Sequence, residues 1–165
     1  MSEAAASAPN VERELSLGVL RDVLGFHVTL ASIVTLDQYE RHVGAPLGLR
    51  KAEYSLLLLL LANGPTPARR LALTLRQSAP QLTMMLDRMQ ERRWLRRERN
   101  PADRRAQFVV LTRDGEALAR RAAAVSKTME RELLACLSAA ERAMLIELLM
   151  KVATHRQAHA VDALA

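Results

Sequence analysis

Apolar residues recur every three or four positions near both ends of the chain, which is the pattern of amphipathic helices. The first stretch predicts a helix from Val11 to about His42, and it carries two apolar stripes rather than one. The last stretch predicts two helices, one from Thr112 to about Leu137 and one from Ser138 to about Ala160. Helices that are apolar on more than one side need to be covered by more than the core of one small domain.

The middle of the chain alternates short helices with helix-breaking residues. Residues 44–48 contain two glycines and a proline, and a helix is predicted after them, from about Arg50 to Ala62. Thr66 is a good N-cap and Pro67 suits the first helical position, so a short helix is predicted to begin there.

A second capped helix follows. Ser78 with Gln81 three residues later is a capping box, and the helix that it opens is expected to run to about Arg92. The pattern predicts that four of its residues face inward: Leu82, Met85, Leu86 and Met89. Two short helices joined by a tight turn, the second capped and followed by arginine, predict a helix-turn-helix.

Two strand-like stretches come next, at Trp94–Arg99 and Gln107–Leu111. The turn-rich residues 100–105 join them and end in Arg104 and Arg105. A β-hairpin with a basic tip directly after a helix-turn-helix predicts a winged helix. The expected fold class is therefore mainly α with a small β-hairpin wing.

The chain is expected to form one domain after a disordered tail at residues 1–10. Residues 49–115 are predicted to form the winged helix-turn-helix core of the domain at 11–165. The flanking helices, at 11–48 and 116–165, are predicted to pair two copies into a homodimer, since twofold dimers are the commonest oligomers. A monomeric helical bundle is the alternative.

Positive charge is concentrated in one block. The net charge is +6, yet residues 66–105 contain eleven arginines against four acidic residues, so this block carries +7 and the remainder −1. A basic block on a near-neutral scaffold indicates a surface that binds a polyanion such as DNA. A solvated arginine-rich face is the alternative, because arginine outnumbers lysine twenty-one to three in the whole chain.

Two motifs in this block resemble those of the MarR family of winged helix-turn-helix transcriptional regulators. Residues 100–105 (Asn-Pro-Ala-Asp-Arg-Arg), followed by 110–115 (Val-Leu-Thr-Arg-Asp-Gly), are similar to the family's wing signature, and residues 78–89 are similar to its recognition helix. The likeness runs from Pro65 to Leu118, and the order of helices extends it over nearly the whole chain after residue 10. One departure is Arg93, where relatives commonly have a glycine that suits a left-handed C-cap.

The resemblance implies a homodimer that binds a pseudo-palindromic operator in double-stranded DNA and represses transcription until a small, often aromatic or phenolic, acid releases it. The recognition helix would enter the major groove and the wing the adjacent minor groove. Gln81 and Thr83 suit base edges, Pro80 and Met84 suit apolar contacts, and Ser78 and Arg88 suit phosphates. The wing candidates are Asp103, Arg104 and Arg105.

The effector site is expected between the dimer-forming helices and the DNA-binding core. His27 interrupts the apolar stripe of the first helix, and Tyr39 and Tyr54 lie near the predicted junction. Each of these side chains could hydrogen-bond a carboxylate or a phenol. A structural histidine in an apolar helix is the alternative interpretation of His27.

Other functions have less support in the sequence. His155 and His159 are spaced to share a zinc ion, but they lack further ligands nearby in sequence, so metal sensing is a second hypothesis and no metal or cofactor is expected. Cys136, between Leu134 and Leu137, is predicted to be an inert thiol in an apolar helix. A non-specific architectural DNA-binding protein would share the basic block.

No enzyme, secretion or membrane signal is apparent in the sequence. It contains no glycine-rich phosphate loop, Gly-x-Ser-x-Gly, His-Glu-x-x-His or Cys-x-x-Cys motif, so an enzyme is not expected. The longest strongly apolar run, Tyr54–Ala62, is too short to span a bilayer, and residues 1–10 do not resemble a signal peptide. A cytoplasmic protein is therefore expected.

Replacing Arg105 tests the predicted wing contact, because narrow A·T-rich minor grooves attract arginine. Arg105→Ala should weaken binding to operator DNA by about 1–3 kcal/mol, the scale of one good groove contact. Fluorescence anisotropy at fixed salt, with DNA from upstream of the protein's own gene, measures the change. Unchanged affinity would exclude the wing from DNA recognition.

Overall fold

The computed structural model describes residues 15–99 and 107–162, and the side chains of 15–98 and 107–155 among them. A 3₁₀ turn precedes a long, interrupted helix, and a winged helix-turn-helix and two more helices follow. The elements are the 3₁₀ turn Gly18–Asp22, α1 (Leu24–Tyr39), a π-helical turn at Glu40–Gly44, α2 (Ala45–Leu47), α3 (Lys51–Asn63), β1 (Thr66–Pro67), α4 (Ala68–Leu75), α5 (Ala79–Glu91), β2 (Leu95–Arg99), β3 (Gln107–Leu111), α6 (Arg113–Leu133) and α7 (Ala139–Asp162). The predicted fold class, mainly α with a small β-hairpin, is confirmed.

The chain divides into two compact units, and the boundary lies inside α1, between Ile33 and Val34. The first unit exposes most of its apolar side chains: Leu15, Leu17, Val19, Leu20, Val23, Leu24, Val28, Leu30 and Ile33. The prediction of one continuous helix from Val11 was wrong over the first described residues. Gly18 has a left-handed φ of 51° and Val23 is extended, so α1 begins only at Leu24. The predicted tail at residues 1–10 lies outside the described residues.

The hydrophobic core of the second unit surrounds α3, which contacts α4, α6 and β3. Leu56, Leu57 and Leu60 of α3 are almost fully buried. The four residues predicted to face inward from α5 are also buried, at 0–3% exposure, so that prediction is confirmed. Helix α5 therefore packs on the core with one face and leaves the opposite face in solvent.

A three-stranded antiparallel sheet in the order β1-β3-β2 lies beside these helices. In the predicted hairpin Leu95 pairs with Leu111 and Arg99 with Gln107. Strand β1 was not predicted, because Thr66 was expected to cap a helix. Thr66 instead pairs with Val109, and α4 begins two residues later.

The helices that follow the sheet also depart from the prediction in one place. Helix α6 ends at Leu133 rather than near Leu137, so Cys136 lies exposed in a turn and not in an apolar helix. Ser138 and Glu141 form the predicted capping box of α7: the Ser138 N–H donates to Glu141 at 2.8 Å. The hydrogen bonds from Ser138 lower the pKa of Glu141.

Helix α7 exposes a long apolar surface, as the first unit does. Its exposed large apolar side chains are Met144, Leu145, Ile146, Leu148, Leu149, Met150 and Val152. Exposed apolar area of this extent is rare on a monomeric protein.

The start of α6 is fastened to the end of α5 through Thr112. The Thr112 N–H donates to the Trp94 carbonyl at 3.1 Å, and its hydroxyl donates to the Arg93 carbonyl. The same hydroxyl oxygen accepts the N–H of Gly115 at 3.0 Å. A Cβ at buried Gly115 would overlap the Trp94 carbonyl oxygen, so only glycine fits.

The substitution Gly115→Ala should therefore destabilise the protein. Because its methyl group would overlap backbone, the free energy of unfolding should fall by about 1–3 kcal/mol. Urea denaturation at fixed protein concentration measures the loss. Gly25→Ala is the control, since a Cβ there meets nothing within 4 Å in the described part of the chain. Equal stability of both variants would contradict the packing constraint.

Candidate DNA interface

The capping box at the start of α5 is formed as predicted. Ser78 Oγ accepts the Gln81 N–H at 3.4 Å, and Gln81 Oε1 accepts the Ser78 N–H at 3.2 Å. The Ser78 hydroxyl also donates to Gln81 Oε1, at 3.0 Å. The carbonyl end of the Gln81 side chain is therefore engaged within the helix, and a base contact would have to use its amide NH₂ or open the cap.

The solvent face of α5 presents the predicted contact residues together. Ser78, Pro80, Gln81 and Thr83 are all exposed, and Met84 is 58% exposed. They lie opposite the four buried residues of the same helix. A short helix with polar and apolar groups on one accessible face is suited to the major groove.

Helix α5 ends in a Schellman motif, in which a left-handed residue allows two reverse hydrogen bonds to form. The Trp94 N–H donates to the Met89 carbonyl at 3.0 Å, and the Arg93 N–H donates to Gln90 at 2.9 Å. Arg93 has φ 59°, so it adopts the conformation that glycine takes in relatives, at some steric cost. Arg76 occupies the same position after α4, with φ 52°.

Arg97 of β2 joins the wing to the recognition helix. Its guanidinium contacts Asp87 at 2.7 Å and donates to the Thr83 carbonyl at 3.3 Å. The sequence interpretation missed this role, since strand alternation alone does not show which residues a strand faces. The predicted wing residues Asp103, Arg104 and Arg105 lie outside the described residues.

Arg88, predicted to contact phosphate, is only partly in solvent. Its side chain is 40% exposed, and its Nε lies 3.7 Å from the Oε1 of Glu53 in α3. Glu53 is 2% exposed and was not singled out from the sequence. The structure thus places a buried acid next to one of the predicted DNA contacts.

Two of the three predicted effector residues come together in the second unit. The rings of Tyr39 and Tyr54 meet edge to face with centroids 5.6 Å apart. The Tyr39 hydroxyl donates to the Leu49 carbonyl at 2.6 Å. Burial of the hydroxyl is the main cause that raises the pKa of Tyr39 to about 12, and the negative charge of Glu40 adds to it. The Tyr54 hydroxyl is bonded to Ser126 Oγ at 2.6 Å.

His27 belongs to the first unit. It is exposed there, and its Nε2 lies 2.8 Å from the Arg21 carbonyl oxygen. The structure therefore gives each of the three effector candidates a hydrogen-bond partner within its own unit.

An open cleft of about 680 Å³ lies beside Tyr39. Its walls combine apolar and charged groups from the end of α1 and the segment that leads into α3. They include Leu36, Asp37, Glu40, Leu49, Arg50 and Lys51. A volume of this size is in the range of small-molecule sites.

Two features, a metal-ligand cluster and a membrane-spanning helix, are absent from the described residues. No group of three or more His, Cys, Asp or Glu that could hold a metal ion occurs there. His155 is an exposed residue of α7, and the side chain of His159 is not described. No helix of the described chain is long and apolar enough to cross a membrane.

Helix α5 is capped and half-exposed, and the β-hairpin contacts it. Together these features define a winged helix-turn-helix protein. Residues 47–106 match the model of the MarR family. The repressor CouR, solved on a 23-mer DNA duplex, is 33% identical with a TM-score of 0.78, over 85% of this chain and 99% of CouR. The chain belongs to the MarR family of transcriptional regulators.

Other relatives support the same family. The putative regulatory protein for the hcr operon of Thauera aromatica is 29% identical over 84% of each chain. A mutant MarR from E. coli, solved with operator DNA, is 27% identical, with a TM-score of 0.73 over 84% of this chain and 99% of that one. HosA of Escherichia coli is 38% identical over 71 residues, and this match spans only about half of HosA, 53% of its length.

Replacing Arg97 tests the link between the wing and the recognition helix. Arg97→Gln should lower the free energy of unfolding by about 1 kcal/mol, because it removes an ion pair and a hydrogen bond to a helix carbonyl. Arg96→Gln is the matched control on the same strand. In the described part of the chain Arg96 pairs with exposed Glu98, so its loss should cost less than about 0.5 kcal/mol. Equal losses in urea denaturation would mean that Arg97 does not brace α5.

Proposed function

We propose that the protein is a homodimeric, sequence-specific DNA-binding repressor that leaves its pseudo-palindromic operator when a small aromatic or phenolic acid binds. One observation carries the proposal: α5 is capped, packed and braced by Arg97, yet it keeps its predicted contact residues in solvent. A rigid helix with an open polar face is what base recognition requires, since each contact depends on fixed geometry.

In this proposal α5 lies in the major groove. Gln81 and Thr83 contact base edges, and Pro80 and Met84 make apolar contacts, for example with a thymine methyl. Ser78 and Arg88 contact phosphates, which fix the register without reading sequence. CouR and the E. coli MarR mutant were both solved with DNA, which supports this mode of binding.

The wing completes the contact in the minor groove. Arg105 is proposed to enter the groove and Arg104 to contact the backbone, while Asp103 orients the loop. This loop joins strands β2 and β3, and Arg97 of β2 contacts α5.

Dimerisation is proposed because two parts of the chain leave large apolar side chains exposed. The first unit and α7 each do so, and a second copy of the chain would bury them. A twofold dimer places two α5 helices on successive major-groove half-sites, which gives a pseudo-palindromic operator.

The effector is proposed to be an aromatic acid or its thioester, bound at the cleft beside Tyr39. Arg50 and Lys51 line this cleft and could attract an anionic group, while Leu36 and Leu49 offer apolar contact. CouR was also solved with p-coumaroyl-CoA, at 31% identity to this chain. Tyr54, whose ring contacts Tyr39, remains a candidate for a hydrogen bond to the ligand. The proposal that His27 contacts an effector is independent of this cleft.

Release follows if the bound ligand favours a dimer in which the two α5 helices are wrongly spaced for consecutive major grooves. The ligand must then bind the free dimer more tightly than the DNA-bound dimer. The ratio of these two affinities equals the factor by which the ligand weakens DNA binding.

Fluorescence anisotropy at near-physiological salt tests this function. DNA from upstream of the protein's own gene should bind roughly a thousandfold more tightly than a shuffled duplex. Addition of p-coumaroyl-CoA or free aromatic acids should then release the specific DNA.

Equal and steeply salt-dependent binding to both duplexes would favour an architectural protein instead. An acid that raises the melting temperature yet leaves DNA affinity unchanged would contradict ligand release. Chelation with EDTA during the titration identifies a metal-dependent regulator, since only that alternative requires a bound metal.

A further inference from the structure

A buried carboxylate faces the recognition helix. Glu53, in the first turn of α3, is 2% exposed, and its Oε2 accepts the Arg50 N–H at 3.0 Å. Its other oxygen lies 3.7 Å from Arg88 Nε in α5. A carboxylate removed from water needs a positive partner, so Arg88 balances the charge of Glu53.

Arg88 has an inner edge and an outer part. Its Nε is buried and has no hydrogen-bond partner among the described residues, whereas 40% of its side chain is exposed. A guanidinium carries five N–H donors in a planar fork, so one group can serve two anions at once. The inner edge lies on the side of Glu53, as an ion pair without a hydrogen bond, and donors remain for a second anion.

The acid next to Arg88 on α5 is engaged elsewhere. Asp87, the neighbour of Arg88 in sequence, pairs with Arg97 at 2.7 Å. Glu53 is therefore the carboxylate that the structure gives to Arg88 among its described residues.

We propose that Glu53 is a positioning residue for DNA binding, which holds the Nε edge of Arg88 so that the remaining donors face a phosphate of the DNA backbone. This inference rests on the proposed function. A guanidinium already held on one side loses less side-chain freedom when it meets the phosphate, and the contact is correspondingly tighter.

The negative charge of Glu53 is more than its capping role requires. Glutamine at position 53 could still accept the Arg50 N–H through its amide oxygen, as Gln81 does for Ser78. Only a carboxylate also forms an ion pair with the guanidinium. Glu53→Gln therefore separates the cap from the positioning of Arg88.

The experiment compares the full-length wild type with Glu53→Gln, Arg88→Gln, Arg88→Lys and the double variants E53Q/R88Q and E53Q/R88K. Two quantities are measured for each: the melting temperature, and DNA affinity as a function of salt. The DNA is the upstream duplex and its shuffled control. Phosphate contacts are independent of sequence, so the salt slope is informative on either duplex.

Glu53→Gln should weaken DNA binding by the dimer about tenfold to a hundredfold, the cost of ordering one long side chain in each subunit, without changing the salt slope. Arg88→Gln should lower the melting temperature and reduce the salt slope by about two per dimer. E53Q/R88Q should recover the melting temperature, because no buried charge is left unpaired, but not the salt slope.

Arg88→Lys keeps the positive charge but lacks the Nε donor that faces Glu53. It should keep the salt slope and bind more weakly, and adding Glu53→Gln to it should cause no further loss of affinity. Arg120→Gln, which removes an exposed arginine of α6, is the charge-matched control and should leave the slope unchanged.

Unchanged affinity in Glu53→Gln would overturn the positioning role. Recovery of both melting temperature and salt slope in E53Q/R88Q would overturn it too, since Arg88 would then serve only to neutralise Glu53. Failure of the wild type to prefer the upstream duplex is a different result. It would remove the proposed sequence-specific function, while the slopes on the shuffled duplex would still decide the role of Glu53.

Discussion

The close approach of Gly115 to the Trp94 carbonyl oxygen is the constraint on which the geometry of the winged helix depends. It brings the first turn of α6 against Trp94, which lies between the end of α5 at Glu91 and the start of β2 at Leu95. Thr112 then bonds to the carbonyls of both Arg93 and Trp94. These bonds hold the two ends of the hairpin together. They also fix the backbone of the residues that follow α5.

Several arginines of the basic block have partners within the protein, so the number of arginines overstates the DNA-binding surface. Arg76 donates to the Ala153 carbonyl. Arg97 braces α5, and Arg92 stacks on Trp94 at 4.8 Å and donates to the Gly48 carbonyl. The clustering of positive charge predicts a polyanion partner, but several of these charged side chains make contacts within the folded protein.

The segment beside the cleft, which leads into α3, is contacted by side chains from several elements. Arg92 reaches the Gly48 carbonyl, Tyr39 reaches the Leu49 carbonyl, and Glu53 lies between the Arg50 N–H and Arg88. A ligand that displaced this segment would change contacts of the recognition helix directly. This gives the proposed effector response a physical route through packed, hydrogen-bonded groups.

The sequence by itself determined the elements that depend on neighbours in the chain. Ser78 with Gln81, Ser138 with Glu141 and the buried stripe of α5 could be read correctly because capping and helical periodicity are local. The wing motif and its likeness to a family followed in the same way, although the wing tip and the DNA contacts themselves remain predictions. Arg93 could be recognised from the sequence as a departure from the usual glycine, but its left-handed conformation is a finding of the structure.

Only the tertiary structure decided the features whose partners are distant in sequence. Thr66 has good capping chemistry, but its pairing with Val109 in the sheet makes it part of a strand. Glu53 carries no signal in the sequence, since only folding buries it beside Arg88, and Arg97 gains Asp87 as a partner in the same way. The contact between Tyr39 and Tyr54 was not predicted either, and each hydroxyl bonds to the protein itself. Local patterns specify which helices and strands form, whereas charge pairing and burial arise only when separate elements pack together.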